Sequence, residues 1–108
     1  MGERIAVVDG VRSPFCRAGG VLKNVSADDL GVHVVKELLA RTGCSIHEID
    51  ELIFGNASQP ANAANIARVI ALKSGLPKSL SAYTVHRNCA SGLESVTTAV
   101  SKIRAGEG

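Results

Sequence analysis

The chain holds three cysteines and three histidines, and one of these six stands where a reaction would place it. Cys89 follows Ser81-Ala82-Tyr83-Thr84-Val85, whose aromatic and β-branched residues favour an extended strand. It precedes Leu93, Val96, Val100 and Ile103, which recur at helical spacing. The spacing predicts a helix from about Cys89 to Arg104, with the sulfur in its first turn. There the unpaired backbone N–H groups and the positive end of the helix dipole favour an anionic, nucleophilic sulfur. Ala90, Ser91 and Gly92 leave room for a substrate to approach. A small buried hydrophobe is the competing role for any cysteine, and the junction alone does not separate the two.

A cysteine nucleophile also needs a home for the developing oxyanion and a base or acid nearby. The backbone N–H of Cys89 is a candidate oxyanion donor. His86 is the nearest titratable group in sequence, but three residues earlier on an extended strand it need not face the sulfur, so it is not assigned as the base. His33 has no acidic or cysteine partner at helical spacing and reads as a packing or solvent-side residue. His47 lies in an acidic connection with Glu48, Asp50 and Glu51 and receives the same reading.

Cys16, Cys44 and Cys89 show neither CxxC nor Cys/His metal-ligand spacing, and an odd count suits a disulfide framework poorly, so no metal is expected and a reducing, cytoplasmic setting is. The apolar run Ile5-Ala6-Val7-Val8 is too short for a signal segment or a membrane span, and Ala6 stands where a myristoylation motif needs Ser or Thr. A net charge of +2, with both signs intermixed, argues against nucleic-acid and membrane partners.

The elements that must position Cys89 follow from the same patterns. A length of 108 residues sets an upper limit of one domain, and with only three aromatic residues its core must be built from Val, Leu, Ile and Ala. Ile5–Val8 reads as a first buried strand, closed by Asp9-Gly10. Val11 to Val25 reads as a long loop of functional or interface-forming kind. Ser26 as N-cap with Asp29 in the reciprocal place of a capping box starts a helix that ends near Arg41-Thr42 at Gly43. Leu52-Ile53-Phe54 gives a second strand, and Ala57–Asn62 a loop at its carboxyl end, where sites form in open α/β sheets.

Ala63 to Lys73 gives a second helix, stopped by Gly75, on which Asn65 and Arg68 read as structural polar contacts at a partner surface. Ala82–Val85 and the Cys89 helix complete the series. The order predicts an α/β fold of three successive βα units with a mainly parallel sheet, ending where another strand would be expected.

These residues resemble a family. Asn88-Cys89-Ala90-Ser91-Gly92-Leu93-Glu94-Ser95-Val96, with Ile103-Arg104-Ala105-Gly106-Glu107 after it, is similar to the acyl-enzyme cysteine segment of thiolases. Val11-Arg12-Ser13-Pro14-Phe15 resembles their first loop, Ser26-Ala27-Asp28-Asp29-Leu30-Gly31 the start of their first helix, Asn65-Ile66-Ala67-Arg68 their second helix, and Phe54-Gly55-Asn56 also has a counterpart. The resemblance implies the N-terminal part of a thiolase-like N-terminal domain over residues 1–108, with Cys89 as the acylated nucleophile. It implies acyl-CoA and coenzyme A as substrates, no permanently bound cofactor, and a homodimer or higher oligomer. The reaction would be thiolytic cleavage of a 3-ketoacyl-CoA, as in fatty acid β-oxidation, or condensation of two acetyl-CoA units.

His86 departs from the Asn, Ser or Thr usual three residues before the cysteine, and Ala90 from a frequent glycine. The activating histidine, the second cysteine and the coenzyme A-binding loop of the family fall beyond residue 108, and none of them transfers to His33, His47, Cys16 or Cys44. The alternatives are a ketosynthase-like condensing enzyme, or a non-catalytic fragment that pairs through the surface around its third strand.

Overall fold

A computed structural model describes residues 4–108. Its elements run α1 (Ala27–Thr42), a 3-10 turn at Ile46–Glu48, β1 (Glu51–Gly55), α2 (Ile66–Lys73), β2 (Ser81–Val85) and α3 (Ser91–Arg104). β1 and β2 pair in parallel, with Glu51 opposite Ser81 through to Gly55 opposite Val85. Parallel neighbours need a crossover connection, and α2 supplies it. The α/β class and the parallel pairing are as the sequence pattern predicts.

The alternation of side chains along the two strands makes three layers. Leu52 and Phe54 point to one face, against Val35 of α1 and Ile66 and Ile70 of α2. On the same face Ala82 packs with Ala71, Leu76 and Leu80. The odd-numbered residues face α3: Ile53 lines a groove with Ser95, Val96 and Ala99, and Glu51 accepts a hydrogen bond from Lys102 at 2.8 Å. The Lys102 ammonium also stands 5.0 Å from the centre of the Tyr83 ring. Gly31 is where α1 comes close to α2, since a Cβ there would run into the buried Ile70 side chain.

The caps of α1 show which local signals survive. Ser26 is extended, its hydroxyl accepts the Asp29 N–H at 3.3 Å, and Gly43 closes the helix in the left-handed region at φ 66 with its N–H on the Leu39 carbonyl. The return half of the expected capping box is replaced by a longer-range pairing. Asp28 and Asp29 both bind the Lys73 ammonium at the far end of α2, which ties the start of one helix to the end of the other. A complete capping box forms instead at Ser45 and Glu48.

Three expectations are corrected. Ile5–Val8 forms no strand; Val7 and Val8 are exposed, and among the described residues this run has no sheet neighbour to take its backbone hydrogen bonds. The second helix begins at Ile66 rather than Ala63, which is buried in a turn.

Asn65 and Arg68 make their polar contacts inside the chain rather than at a partner surface. The Asn65 amide donates to the Ala82 carbonyl (3.1 Å) and accepts the Thr84 hydroxyl (2.8 Å), while the Arg68 guanidinium donates to the carbonyls of Lys78 and Leu80. Thr84 Oγ1 in turn accepts the Ala67 N–H, so a strand residue caps α2 in place of the helix's own N-cap side chain.

Candidate active site

Parallel strands deliver both of their carboxyl ends to one edge of the sheet, and the turn carrying Cys89 leaves β2 at that edge beside the Asn56 loop that leaves β1. The Asn56 N–H reaches the Val85 carbonyl at 3.1 Å and prolongs the pairing into the loops. The third helix starts at Ser91 with Ala90 as N-cap, two residues later than the spacing predicts. Cys89 therefore stands immediately before the N-cap, and it is exposed. The first turn of α3 lies directly after it, with the Ala90 and Ser91 N–H groups already held by the Arg87 and Asn88 carbonyls.

The turn owes its shape to a small set of hydrogen bonds. Asn88 has φ 48, the single left-handed non-glycine residue among those described. Its N–H donates to His86 Nδ1 at 3.1 Å, and its carbonyl accepts both the Ser91 hydroxyl (2.7 Å) and the Ser91 N–H (3.2 Å). The same hydroxyl accepts the Arg87 N–H at 2.8 Å, and the Ala90 N–H closes on the Arg87 carbonyl at 2.9 Å.

Ser91 is 4% exposed, and behind it Gly55 at the end of β1 leaves no space for a Cβ against the Ser91 carbonyl. At the outer rim Arg87 and Glu94 form an ion pair at 2.7 Å beside an open depression that Val85 and His86 also line.

The sequence-predicted nucleophile is thus presented, while the groups around it support the backbone rather than the sulfur. His86 bonds the Asn88 N–H, and among the described residues no side chain is hydrogen-bonded to the Cys89 sulfur. His33 is exposed on α1, His47 is exposed in the 3-10 turn, Cys44 is exposed with its thiol on the Ser45 carbonyl, and Cys16 is half-buried in the loop before α1. No group of three or more His, Cys, Asp or Glu side chains able to hold a metal occurs among the described residues. The sequence reading missed Asn88 and Ser91 as builders of the site. The available signal was a small hydroxyl two residues after the cysteine, which marks a helix start able to bond backward.

Comparison with known proteins agrees with this geometry. The family described as "Thiolase, N-terminal domain" matches residues 5–108. A 3-ketoacyl-CoA thiolase of Aeromonas salmonicida is 46% identical over 105 residues, covering 97% of this chain and 24% of the relative. One of Pseudoalteromonas translucida is 42% identical over the same share of each chain. Among solved structures, a Bacillus anthracis acetyl-CoA acetyltransferase superposes with a TM-score of 0.77 at 41% identity, over 82% of this chain and 22% of that one. Acat5 thiolase from Ascaris suum, solved in complex with coenzyme A, gives 0.76 at 33% identity, over 82% and 23%. The chain spans about a quarter of the length of the relatives it matches, at 24%. Over that span the family match is continuous and the fold agrees: the chain belongs to the thiolase family, matching within its N-terminal domain.

Proposed function

We propose that the protein performs thiolase-type acyl transfer with Cys89 as the nucleophile. The exposed sulfur at the head of α3 is the observation that carries this reading. In the exchange step the sulfur attacks the carbonyl carbon of an acyl-CoA thioester. The bond from carbonyl carbon to coenzyme A sulfur breaks, the acyl group stays on Cys89, and the proton lost by the cysteine accompanies the departing coenzyme A thiol. One thioester is traded for another, so the step is nearly isoenergetic and runs either way. With the Ala90 and Ser91 N–H groups held by the Arg87 and Asn88 carbonyls, the backbone donor proposed for the oxyanion is the Cys89 N–H.

The substrate class follows from the relatives: 3-ketoacyl-CoA cleaved to acetyl-CoA and a shortened acyl-CoA, or two acetyl-CoA units condensed. Coenzyme A and its thioesters enter as substrates, with no resident cofactor. The reading extends to fatty acid metabolism in the cytoplasm, supported by free cysteines suited to a reducing compartment, and to a homo-oligomer.

The test is incubation of the 108-residue chain with acetyl-CoA, followed by peptide mass spectrometry. One acetyl group is expected on the Cys89 peptide and none in Cys89→Ser, with no sustained turnover, because among the described residues no base is hydrogen-bonded to the sulfur. Acetylation spread equally over Cys44 and Cys89, or absent from both, refutes the assignment.

A further inference from the structure

Asn88 must be held where it is. A left-handed φ of 48 brings an L-residue's Cβ close to its own carbonyl, and asparagine tolerates this better than most residues without preferring it. Two side chains restrain it from opposite sides. Ser91, buried, holds the carbonyl; His86, exposed, holds the N–H through Nδ1 at 3.1 Å. An imidazole nitrogen accepts a hydrogen bond through its in-plane lone pair, so this contact commits Nδ1 to the backbone.

We propose that His86 is a positioning residue for Cys89. By accepting the Asn88 N–H it locks the left-handed step that turns the chain between β2 and α3 and presents the sulfur outward ahead of the helix. Its hydrogen bond goes to the Asn88 backbone and not to the sulfur. The chemistry required at position 86 is an acceptor able to reach the N–H two residues on. A short amide side chain meets that requirement as an Asx turn, and an aliphatic one does not. The functional meaning of the lock rests on Cys89 being the acyl-transfer nucleophile; the lock itself does not.

The test uses iodoacetamide and reads the alkylation rate of Cys89 against that of exposed Cys44 in the same molecule, peptide by peptide. For His86→Leu the Cys89 to Cys44 ratio is expected to fall about fivefold, the scale of one lost intramolecular hydrogen bond. For His86→Asn it should stay within about twofold of wild type, since the acceptor is restored. Adding Asn88→Gly to His86→Leu should recover the ratio, because glycine takes a positive φ without a lock.

An unchanged or raised ratio in His86→Leu overturns the proposal, and so does a His86→Asn ratio as low as that of His86→Leu. Should His86→Leu fail to fold, as judged by far-UV circular dichroism, amide hydrogen exchange of Asn88 in the wild-type chain decides. Exchange slowed about fivefold or more relative to a free loop amide upholds the lock, and exchange at the free rate overturns it. A wild-type chain that takes no acetyl group from acetyl-CoA but shows this alkylation pattern would sink the acyl-transfer reading and leave the lock standing.

Discussion

A hydroxyl fixes the backbone around it when water cannot replace it, and Ser91 meets that condition. It is 4% exposed, donates to the Asn88 carbonyl at 2.7 Å and accepts the Arg87 N–H at 2.8 Å, so it spans the residues on either side of the bend. Ser91→Ala removes both bonds and leaves the Arg87 N–H and part of the Asn88 carbonyl demand unmet, at a cost of about 1–3 kcal/mol. The expected outcome in urea unfolding is a lower midpoint with an unchanged slope, together with slower alkylation of Cys89 relative to Cys44. Ser91→Thr keeps the hydroxyl and should keep the alkylation ratio. An alanine variant as stable as wild type would show the hydroxyl to be incidental. Cys89 and its surroundings thus divide the work: the sulfur is free, and its neighbours spend their hydrogen bonds on the chain that presents it.

At the scale of elements, the turn is set by how closely the end of β1 approaches the start of α3. A Cβ on Gly55 would overlap the backbone at Ser91 and Gly92, and backbone cannot rotate aside as a side chain can. Gly55→Ala therefore has to push α3 away from β1, at a cost of about 1–3 kcal/mol from overpacking. The displacement falls on the residues that hold Cys89. The expected result is a lower melting temperature and amide chemical-shift changes concentrated at residues 86–92. Changes confined to residues next to position 55 would mean that the helix start absorbs the methyl.

The opposite end of α3 is fixed independently. Lys102 bonds Glu51 at 2.8 Å and lies over Tyr83, and the Glu51 carboxylate beside it holds the Lys102 ammonium above the ordinary lysine range.

For the whole molecule, the packing of α1 on α2 carries a pH signature. The Lys73 ammonium bonds Asp28 at 2.8 Å and also pairs with Asp29, and these bonds hold both carboxyls below the ordinary aspartate range. The two carboxylates raise Lys73 in return. A carboxyl lowered by folding contributes stability above its unfolded pKa and loses it as pH falls through the folded one. A lysine raised by folding contributes below its unfolded pKa and loses it as pH rises through the folded one. The stability difference between wild type and Lys73→Met should therefore be present at neutral pH and shrink as pH falls below the ordinary aspartate value of 3.8. Thermal melts across pH check it, and because the pairs are partly exposed the difference should also shrink with added salt. A difference that does not vary with pH would mean that Lys73 acts through its aliphatic stem alone.

Much of the fold was legible because its signals are local. Ser26 and Gly43 mark the ends of α1 through bonds made within four residues, apolar spacing marks the helices, a short apolar run marks β1 and aromatic and β-branched residues mark β2. Cys89 at the head of a helix was legible for the same reason, to within two residues. What the tertiary structure alone decided depends on partners far away in sequence. Ile5–Val8 has strand composition but forms no strand here, because composition supplies no neighbouring strand. Leu93 and Val96 keep helical spacing yet stand uncovered on α3. Asn65 spends its amide on β2 while Thr84 caps α2, and His86, the nearest imidazole to the sulfur in sequence, serves the Asn88 backbone. A side chain's type states which bonds it can make; the packed chain determines which group arrives to make them.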